Sequence, residues 1–471
     1  LHLKLILGKG YFFFIDRANR HRPDMYKDLG LDIKASNLCV HGDTTILTDQ
    51  GNLVIKDLEN QNVNVWNGKQ WSNTTVVKTN TNQELIEVTL NTGESIKCTP
   101  YHKFYLLDNK GEATRLKFAH ELAREDELIT IDSNINETVS TVVSIAPVEG
   151  LHDTYCFNEP LEHKGVFNGI LTGNCSEIML HSGPEYTYSC VLASLNLVHW
   201  NEIKDDDTIF NANVFLDCVI SDFLVKAQGI AGLEKVIKFT EKGRATGLGL
   251  MGLHTYLQQE GIAYDSMPAM FENKMISQRL ASESLRASKW LAQELGEPEW
   301  CKGYGLRNTH RTAQAPTKSS ALLMGGVSEG INPDPGMVFT ASSAVGELTR
   351  IVPVFYELMK QRGQYKPEVI TRIIKNVGSV QQEDWLTPEE KAVFRTAFEV
   401  NQEHHLNMAA ARQPDFCQGQ SLNFYISDTG SERTIARLIS LCFTNENILS
   451  QYYVYSRNGV IVNDECLNCG S

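Results

Sequence analysis

Ser36-Asn37-Leu38-Cys39 and Asn174-Cys175-Ser176-Glu177-Ile178 decide how this chain is read, because each stretch is incomplete without the other. Joining Ser36-Asn37-Leu38 to Cys175-Ser176-Glu177-Ile178 gives an alternating Asn-x-Cys-x-Glu run. In an extended segment alternate side chains share one face, so an amide, a thiol and a carboxylate would converge on one ligand. The intervening block begins with a thiol, Cys39, and ends with an amide, Asn174, directly followed by a second thiol, Cys175. The chain therefore reads as a host interrupted by an insert.

Composition bounds the rest. A length of 471 residues suits two or three domains with sizeable cores. Apolar content of 42% and 34 glycines fit a globular protein. The net charge of −14 argues against a general nucleic-acid or anionic-membrane binder, while leaving room for a local phosphate pocket. No apolar run is read as membrane-spanning; the one around Tyr11 to Ile15 ends at Asp16, and no signal-peptide pattern precedes it. Eleven cysteines make no dense disulfide framework and point to a reducing cytoplasm, where a cysteine at a special position tends to be chemical. The chain enters almost at once on a buried-strand pattern, Gly10 to Ile15, which suggests the later portion of a larger enzyme.

Patterning changes at both junctions. From Cys39 to Asn174 the text is rich in Thr, Val, Asn and Ile, with turns at Asn67-Gly68, Asn91-Thr92-Gly93 and Asn168-Gly169. Alternating runs such as Glu84 to Leu90 and Thr138 to Ile145 predict an all-β block. Beyond Cys175, helical spacing over Met275 to Glu294, Lys366 to Val377 and Pro388 to Ala410 alternates with strand-like Gly247 to Leu253, Leu422 to Ile426 and Gln451 to Ser456. That alternation argues an α/β architecture.

The insert resembles a minimal intein, a Hint-like splicing domain over residues 39–174. Cys98-Thr99-Pro100-Tyr101-His102 looks like the T-x-x-H block, and Tyr155-Cys156-Phe157 followed by His163 looks like the downstream block. Asn168 through Cys175 fits the terminal block. The resemblance implies that the Cys39 thiol attacks the Leu38 carbonyl, converting the amide to a thioester. Cys175 then takes over the acyl group, Asn174 cyclises and cuts the downstream bond, and the thioester rearranges to a peptide. Thr99 and His102 would polarise and protonate or strain the first scissile amide, with Cys156 and His163 assisting downstream. The chain departs from the pattern at Gly173, where inteins commonly carry His. This departure sustains a rival reading, a splicing-defective precursor that is only a structural or binding remnant.

The flanks, residues 1–38 and 175–458, resemble the class I ribonucleotide reductase large subunit. The implied fold is the later part of a ten-stranded α/β barrel with the all-β Hint domain inserted at its catalytic loop. The resemblance carries thiyl-radical chemistry to Cys175, general-base work to Glu177 and sugar positioning to Asn37. Cys190, in Tyr188-Ser-Cys-Val-Leu-Ala-Ser-Leu-Asn-Leu197, resembles one half of the redox pair. Gly305-Leu306-Arg307-Asn308 and Thr312-Ala313-Gln314-Ala315-Pro316 resemble the large-subunit signature and run into Thr317-Lys318-Ser319-Ser320-Ala321. That loop would hold substrate phosphates; read alone, it is a Ser/Thr helix cap. Tyr452-Tyr453 resembles the radical-relaying pair, though paired tyrosines on a strand are also ordinary packing. Cys466-Leu-Asn-Cys469, on an expected flexible tail over 459–471, lacks further ligands for zinc and fits a mobile dithiol.

The resemblance further implies a ribonucleoside diphosphate substrate and no cofactor or metal in this chain. The radical would come from a metal-containing small subunit, and nucleotide effectors would bind the earlier part of the large subunit. Thioredoxin or glutaredoxin would be the reductant, and the large subunit a homodimer. No nucleic acid or membrane is expected. Gly247-Leu-Gly-Leu-Met-Gly252 satisfies G-x-G-x-x-G but lies in a stretch resembling a reductase barrel segment, so a dinucleotide site is rejected. His404-His405 face different directions on a helix and make a poor metal pair. Cys218, Cys301, Cys417 and Cys442 are expected in the core.

Overall fold

The computed structural model describes residues 12–33, 40–83, 85–99, 102–107, 113–119, 122–150, 152–157, 164–173, 178–181, 183, 185–230, 233–343, 346–427 and 432–456. Among the described residues between Val40 and Gly173, fourteen strands hydrogen-bond into one network. Two long strands give it shape. Trp71–Gln83 pairs first with Asn62–Trp66 and then with His152–Phe157. Glu137–Pro147 pairs with Glu127–Ile131 and then with Ile86–Leu90, with a register shift between Val142 and Ser144 inside the second pairing. A bulge bends and re-aims a strand, so each long strand serves two partners in turn. Val40, Ile46, Val76, Val88, Ile96 and Phe104 belong to the core so enclosed.

The Asn-Gly signal at 168–169 has a defined role. Both residues sit at positive φ, 47° and 79°, joining Lys164–Phe167 to Ile170–Gly173 with Phe167 opposite Ile170. A two-residue type I′ turn needs left-handed backbone at both positions, which Asn-Gly tolerates. Asn168 also straps the hairpin down: its Oδ1 accepts from Thr45 N at 2.6 Å, and its Nδ2 donates to Ser95 O at 2.8 Å.

Outside this block, helix and strand alternate. Val191–Asn196 and Thr246–Met251 pair in parallel. Leu248 bridges to Thr312 and Gln314 to Gln420, also in parallel. Phe424–Ile426 then pairs in parallel with Val454–Ser456. Chain order and spatial order agree along this wall, with helices Thr208–Ala227, Met267–Leu295 and Gln402–Arg412 among the connections, as an α/β unit requires. The expected barrel is not closed. Among the described residues Val191–Asn196 pairs only with Thr246–Met251, whereas closure requires every strand to have two neighbours.

Other expectations also shift. The helix expected from Met275 starts at Met267, where Ser266 caps Ala269 N and Pro268 occupies the first turn, both start signals. The single helix expected over Pro388 to Ala410 is two, Pro388–Val393 and Gln402–Arg412. Asn401 opens the second by accepting from Glu403 N and His404 N. Of Gly10 to Ile15, only Phe12–Phe13 is described as strand, and Ile15 opens a helix. Tyr452 and Tyr453 lie between two short strands, Ser450–Gln451 and Val454–Ser456.

Cys301 and Cys442 are buried as expected, but Cys417 is half-buried and Cys218 exposed. Cys218 lies off the helix face formed by Ile209, Asn213, Leu216 and Ile220. Among the described residues one helix, Thr208–Ala227, is long and apolar enough to cross a membrane, contrary to the reading of apolar runs. Its buried Asp217 is ion-paired to Arg244 at 2.8 Å and Arg307 at 3.0 Å, and the helix packs against Met267–Leu295.

Candidate active site and splice centre

Both ends of the insert's sheet reach the same short segment. Val40 pairs with Cys98 on one side and Tyr155 on the other. Gly173 pairs with Lys103 and with Lys164. Thr99 and His102 therefore lie between the residue that receives the first described strand and the residue that receives the last. His102 N donates to Thr99 O at 2.9 Å, which holds the two residues together. Cys39 is bonded to Val40 and Asn174 to Gly173, so both junction residues adjoin strands that pair beside Thr99 and His102.

His102 is 1% exposed, and among the described residues neither ring nitrogen has a hydrogen-bond partner. It packs edge-on against Phe104 and Phe167, at 5.4 and 6.0 Å. Burial pushes its pKa down to about 3, so the ring is neutral at pH 7. Unpaired buried nitrogens each cost about 1–3 kcal/mol, and such exceptions concentrate at working sites. Cys156 is buried on His152–Phe157, beside the Tyr155 that pairs with Val40. Cys39, His163, Asn174 and Cys175 lie outside the described residues, as do Asn37, Glu177, Cys466 and Cys469.

The host site is organised by a glutamine that the sequence reading passed over. Gln418 is fully buried. Its Oε1 accepts from Met179 N at 3.2 Å, and its Nε2 donates to Cys190 Sγ at 3.2 Å and Thr246 O at 3.3 Å. One amide thus holds the segment just after Glu177 beside the thiol of Cys190.

The glycines of the apparent dinucleotide motif have a packing role. A Cβ at Gly247 would stand 2.4 Å from Leu192 and 3.3 Å from Cys190 Sγ, and one at Gly249 would stand 2.4 Å from Ala313 O. They let residues 312–314 approach the sheet. There Gln314 pairs both amide groups with Leu250, donating to its O at 2.8 Å and accepting from its N at 3.1 Å.

Residues 315–330 lie past the C-terminal end of this wall, where ligands bind α/β sheets. Thr317 is left-handed, at φ 57°, and opens Lys318–Leu323 without a side-chain cap bond. Its Oγ1 instead accepts from Gly330 N at 2.8 Å, so the plain helix-cap reading fails. Ser320 is exposed and Ala321 buried. Glu329, also missed, has its carboxyl pushed up to about 7 by burial; the charges of Lys318 and Arg350 pull down and Asp334 pushes up.

Tyr452 and Tyr453 are buried with ring centroids 4.3 Å apart. Cys417 precedes Gln418; burial raises its thiol, but Arg311 and hydrogen bonds from Thr312 outweigh that and leave it below the usual range. His405, set aside as a metal ligand, is bonded to Tyr264 Oη at 2.8 Å and Asn423 O at 2.9 Å.

The family model described as "Ribonucleotide reductase, barrel domain" matches residues 2–303 and 298–453. The ribonucleoside-diphosphate reductase large subunit of Invertebrate iridescent virus 6 is 26% identical, over 93% of this chain and 67% of its own length. The vitamin B12-dependent ribonucleoside-diphosphate reductase of Mycobacterium tuberculosis (strain CDC 1551 / Oshkosh) is 32% identical, over 51% of this chain and 35% of its own. Among solved structures, the class Id ribonucleotide reductase alpha subunit of Actinobacillus ureae superposes with a TM-score of 0.62 at 26% identity, covering 100% of this chain and 62% of that one. The chain spans between about a third and two thirds of these relatives' lengths. The family model spans nearly the whole chain, including the parallel wall, and the chain belongs to the ribonucleotide reductase barrel-domain family.

Proposed function

We propose that this chain is a splicing precursor whose insert, residues 39–174, removes itself and joins Leu38 to Cys175. The product is the C-terminal portion of a ribonucleoside-diphosphate reductase large subunit. The observation that carries the reading is that Val40 pairs with Cys98 and Gly173 with Lys103, on either side of Thr99 and His102. It brings the strand ends bonded to Cys39 and Asn174 to one buried, neutral imidazole. As Cys39 Sγ adds to the Leu38 carbonyl, the departing amide nitrogen needs a proton. A neutral ring can take the Cys39 thiol proton on its bare nitrogen while its N–H gives a proton to the departing nitrogen, so the ring ends neutral and the proton count closes. Acyl transfer to Cys175, cyclisation of Asn174 and the sulfur-to-nitrogen shift then complete the ligation.

Ligation builds the reductase site. Asn37, Cys175 and Glu177 become alternate residues, and Gln418 ties the segment that follows to Cys190. Cys175 would bear the thiyl radical, Glu177 take the ribose 3′-hydroxyl proton and Cys190 supply reducing equivalents. Thr317, Lys318, Ser319, Ser320 and Ala321 would hold the diphosphate. Tyr452 and Tyr453 would relay the radical from a metal-containing small subunit, which favours class I over the cobalamin-dependent class. The C-terminal dithiol Cys466–Cys469, thioredoxin or glutaredoxin, and the effector-binding earlier part of the subunit complete the assembly.

Intact and tandem mass spectrometry of the expressed chain test this. Splicing predicts loss of the segment from Cys39 to Asn174 and a peptide in which Leu38 is bonded to Cys175. A Cys39→Ala, Asn174→Ala chain should stay whole. A single stable full-length species from the unaltered chain favours the rival that Gly173 sustains, a precursor that no longer splices.

A further inference from the structure

The aromatic array does not stop at Tyr452 and Tyr453. Phe424–Ile426 and Val454–Ser456 run parallel with Tyr425 in register with Tyr455. Register partners project to the same face of a sheet, and these two rings stack at 5.1 Å with planes 23° apart. Tyr455 lies two residues beyond Tyr453, also on its face, and stacks on it at 5.6 Å and 30°. The rings therefore run in series, Tyr452, Tyr453, Tyr455, Tyr425, all buried in one cluster. Beyond Tyr425 stands Phe398, edge-on at 5.6 Å, which has no hydroxyl.

Packing alone does not ask for this composition. Phenylalanine fills nearly the same volume, and every buried hydroxyl must be hydrogen-bonded or pay for its desolvation. Four consecutive phenols ending at a phenylalanine mark a track for a group that phenols carry and phenylalanine does not.

We propose that Tyr455 and Tyr425 form a side branch of the tyrosine relay, onto which the radical moves from Tyr453 when the thiol end of the path cannot accept it. The proposal rests on the reductase reading above, with the metal- or tyrosine-based radical of the partner subunit as the oxidant. In the first step the Tyr453 phenoxyl takes a hydrogen atom, one electron and one proton, from the Tyr455 hydroxyl. The O–H bond of Tyr455 breaks, that of Tyr453 forms, and one phenol is oxidised as the other is reduced. A second identical exchange moves the radical to Tyr425. Burial, with the nearby Glu329 and Asp334 carboxylates, holds the Tyr425 phenol far above its usual range. It cannot wait as a phenolate, and its proton must leave with its electron. The branch would shelter the hole in the protein interior when no substrate is bound.

The test uses the spliced chain assembled with its earlier half and the radical-generating subunit, without a nucleoside diphosphate, the condition in which the branch is expected to fill. The readout is electron paramagnetic resonance, with the more easily oxidised 3-aminotyrosine placed singly at 453 or at 425. The branch predicts an aminotyrosyl radical from Tyr425→3-aminotyrosine that is lost when Tyr455→Phe is added. A radical at 453 with none at 425 overturns the branch and leaves the relay standing. A radical at neither position overturns the relay, and the branch with it. A signal at 425 that survives Tyr455→Phe removes Tyr455 from the route and overturns the proposed order.

Discussion

Replacing His102 by Phe should make the insert more stable and unable to splice. The perturbation is worked in a Cys39→Ala, Asn174→Ala chain, where processing cannot interfere. His102 sits between the Phe104 and Phe167 rings with both nitrogens unpaired, so a third apolar ring removes a standing desolvation cost. Each orphaned nitrogen is worth about 1–3 kcal/mol, and the slightly larger ring returns part of that as overpacking. A net gain of about 1–3 kcal/mol at pH 7 follows. The gain should widen in acid. The unfolded imidazole takes up its proton near 6.5 and the folded one only near 3. Between those values the unfolded state holds the extra proton, and stability falls by about 1.4 kcal/mol per unit of pH lost. At pH 5 the parent should have lost about 2 kcal/mol through His102, a loss the Phe chain escapes. Pulse proteolysis in urea, scored by mass on fragments from residues 40–173, reads both quantities. Equal or lower stability of the Phe chain at pH 7, with an unchanged response to acid, would show that the ring nitrogens are satisfied and the reasoning wrong. With Cys39 and Asn174 restored, His102→Phe should leave the precursor unprocessed.

Three further outcomes are expected. Gln418→Leu strands the buried Met179 N–H and Thr246 carbonyl, so denaturant melts of the spliced protein should show a loss of about 2–4 kcal/mol; a loss under half a kcal/mol refutes the clamp. Asp217→Asn removes the charge facing buried Arg244 and half-buried Arg307 and should cost about 3–5 kcal/mol in the same assay, whereas a denaturation midpoint unchanged from the parent would mean the network is dispensable. Cys417, held below the ordinary thiol range, should be alkylated by iodoacetamide at neutral pH well before Cys301, which burial pushes up to about 12; peptide mass mapping that finds the reverse order contradicts the charge argument at Arg311.

Short-range chemistry was legible in the chain itself. Asn168-Gly169 announced its turn because few residue pairs tolerate two left-handed positions. The alternating runs of the insert announced strands because a half-buried strand must alternate. The two thiols and the asparagine at the junctions suggested a chemistry, but Cys39, Asn174 and Cys175 lie outside the described residues. The boundary errors were equally local: Ser266 and Asn401 are caps, and a cap competes with apolar periodicity that looks continuous on either side of it.

What only the tertiary structure decided was which distant groups meet. Gln418 lies more than two hundred residues from Cys190, and a lone glutamine carries no signal of the three groups its amide will join. Gly247 and Gly249 imitate a nucleotide fingerprint in the sequence, and the closeness of Ala313 makes them packing residues. Tyr425 becomes part of a tyrosine series only because parallel register sets it against Tyr455. Sequence fixes a residue's chemistry and its local backbone preference. Its partners are set by how sheets pair and pack across the whole chain, which no local pattern contains.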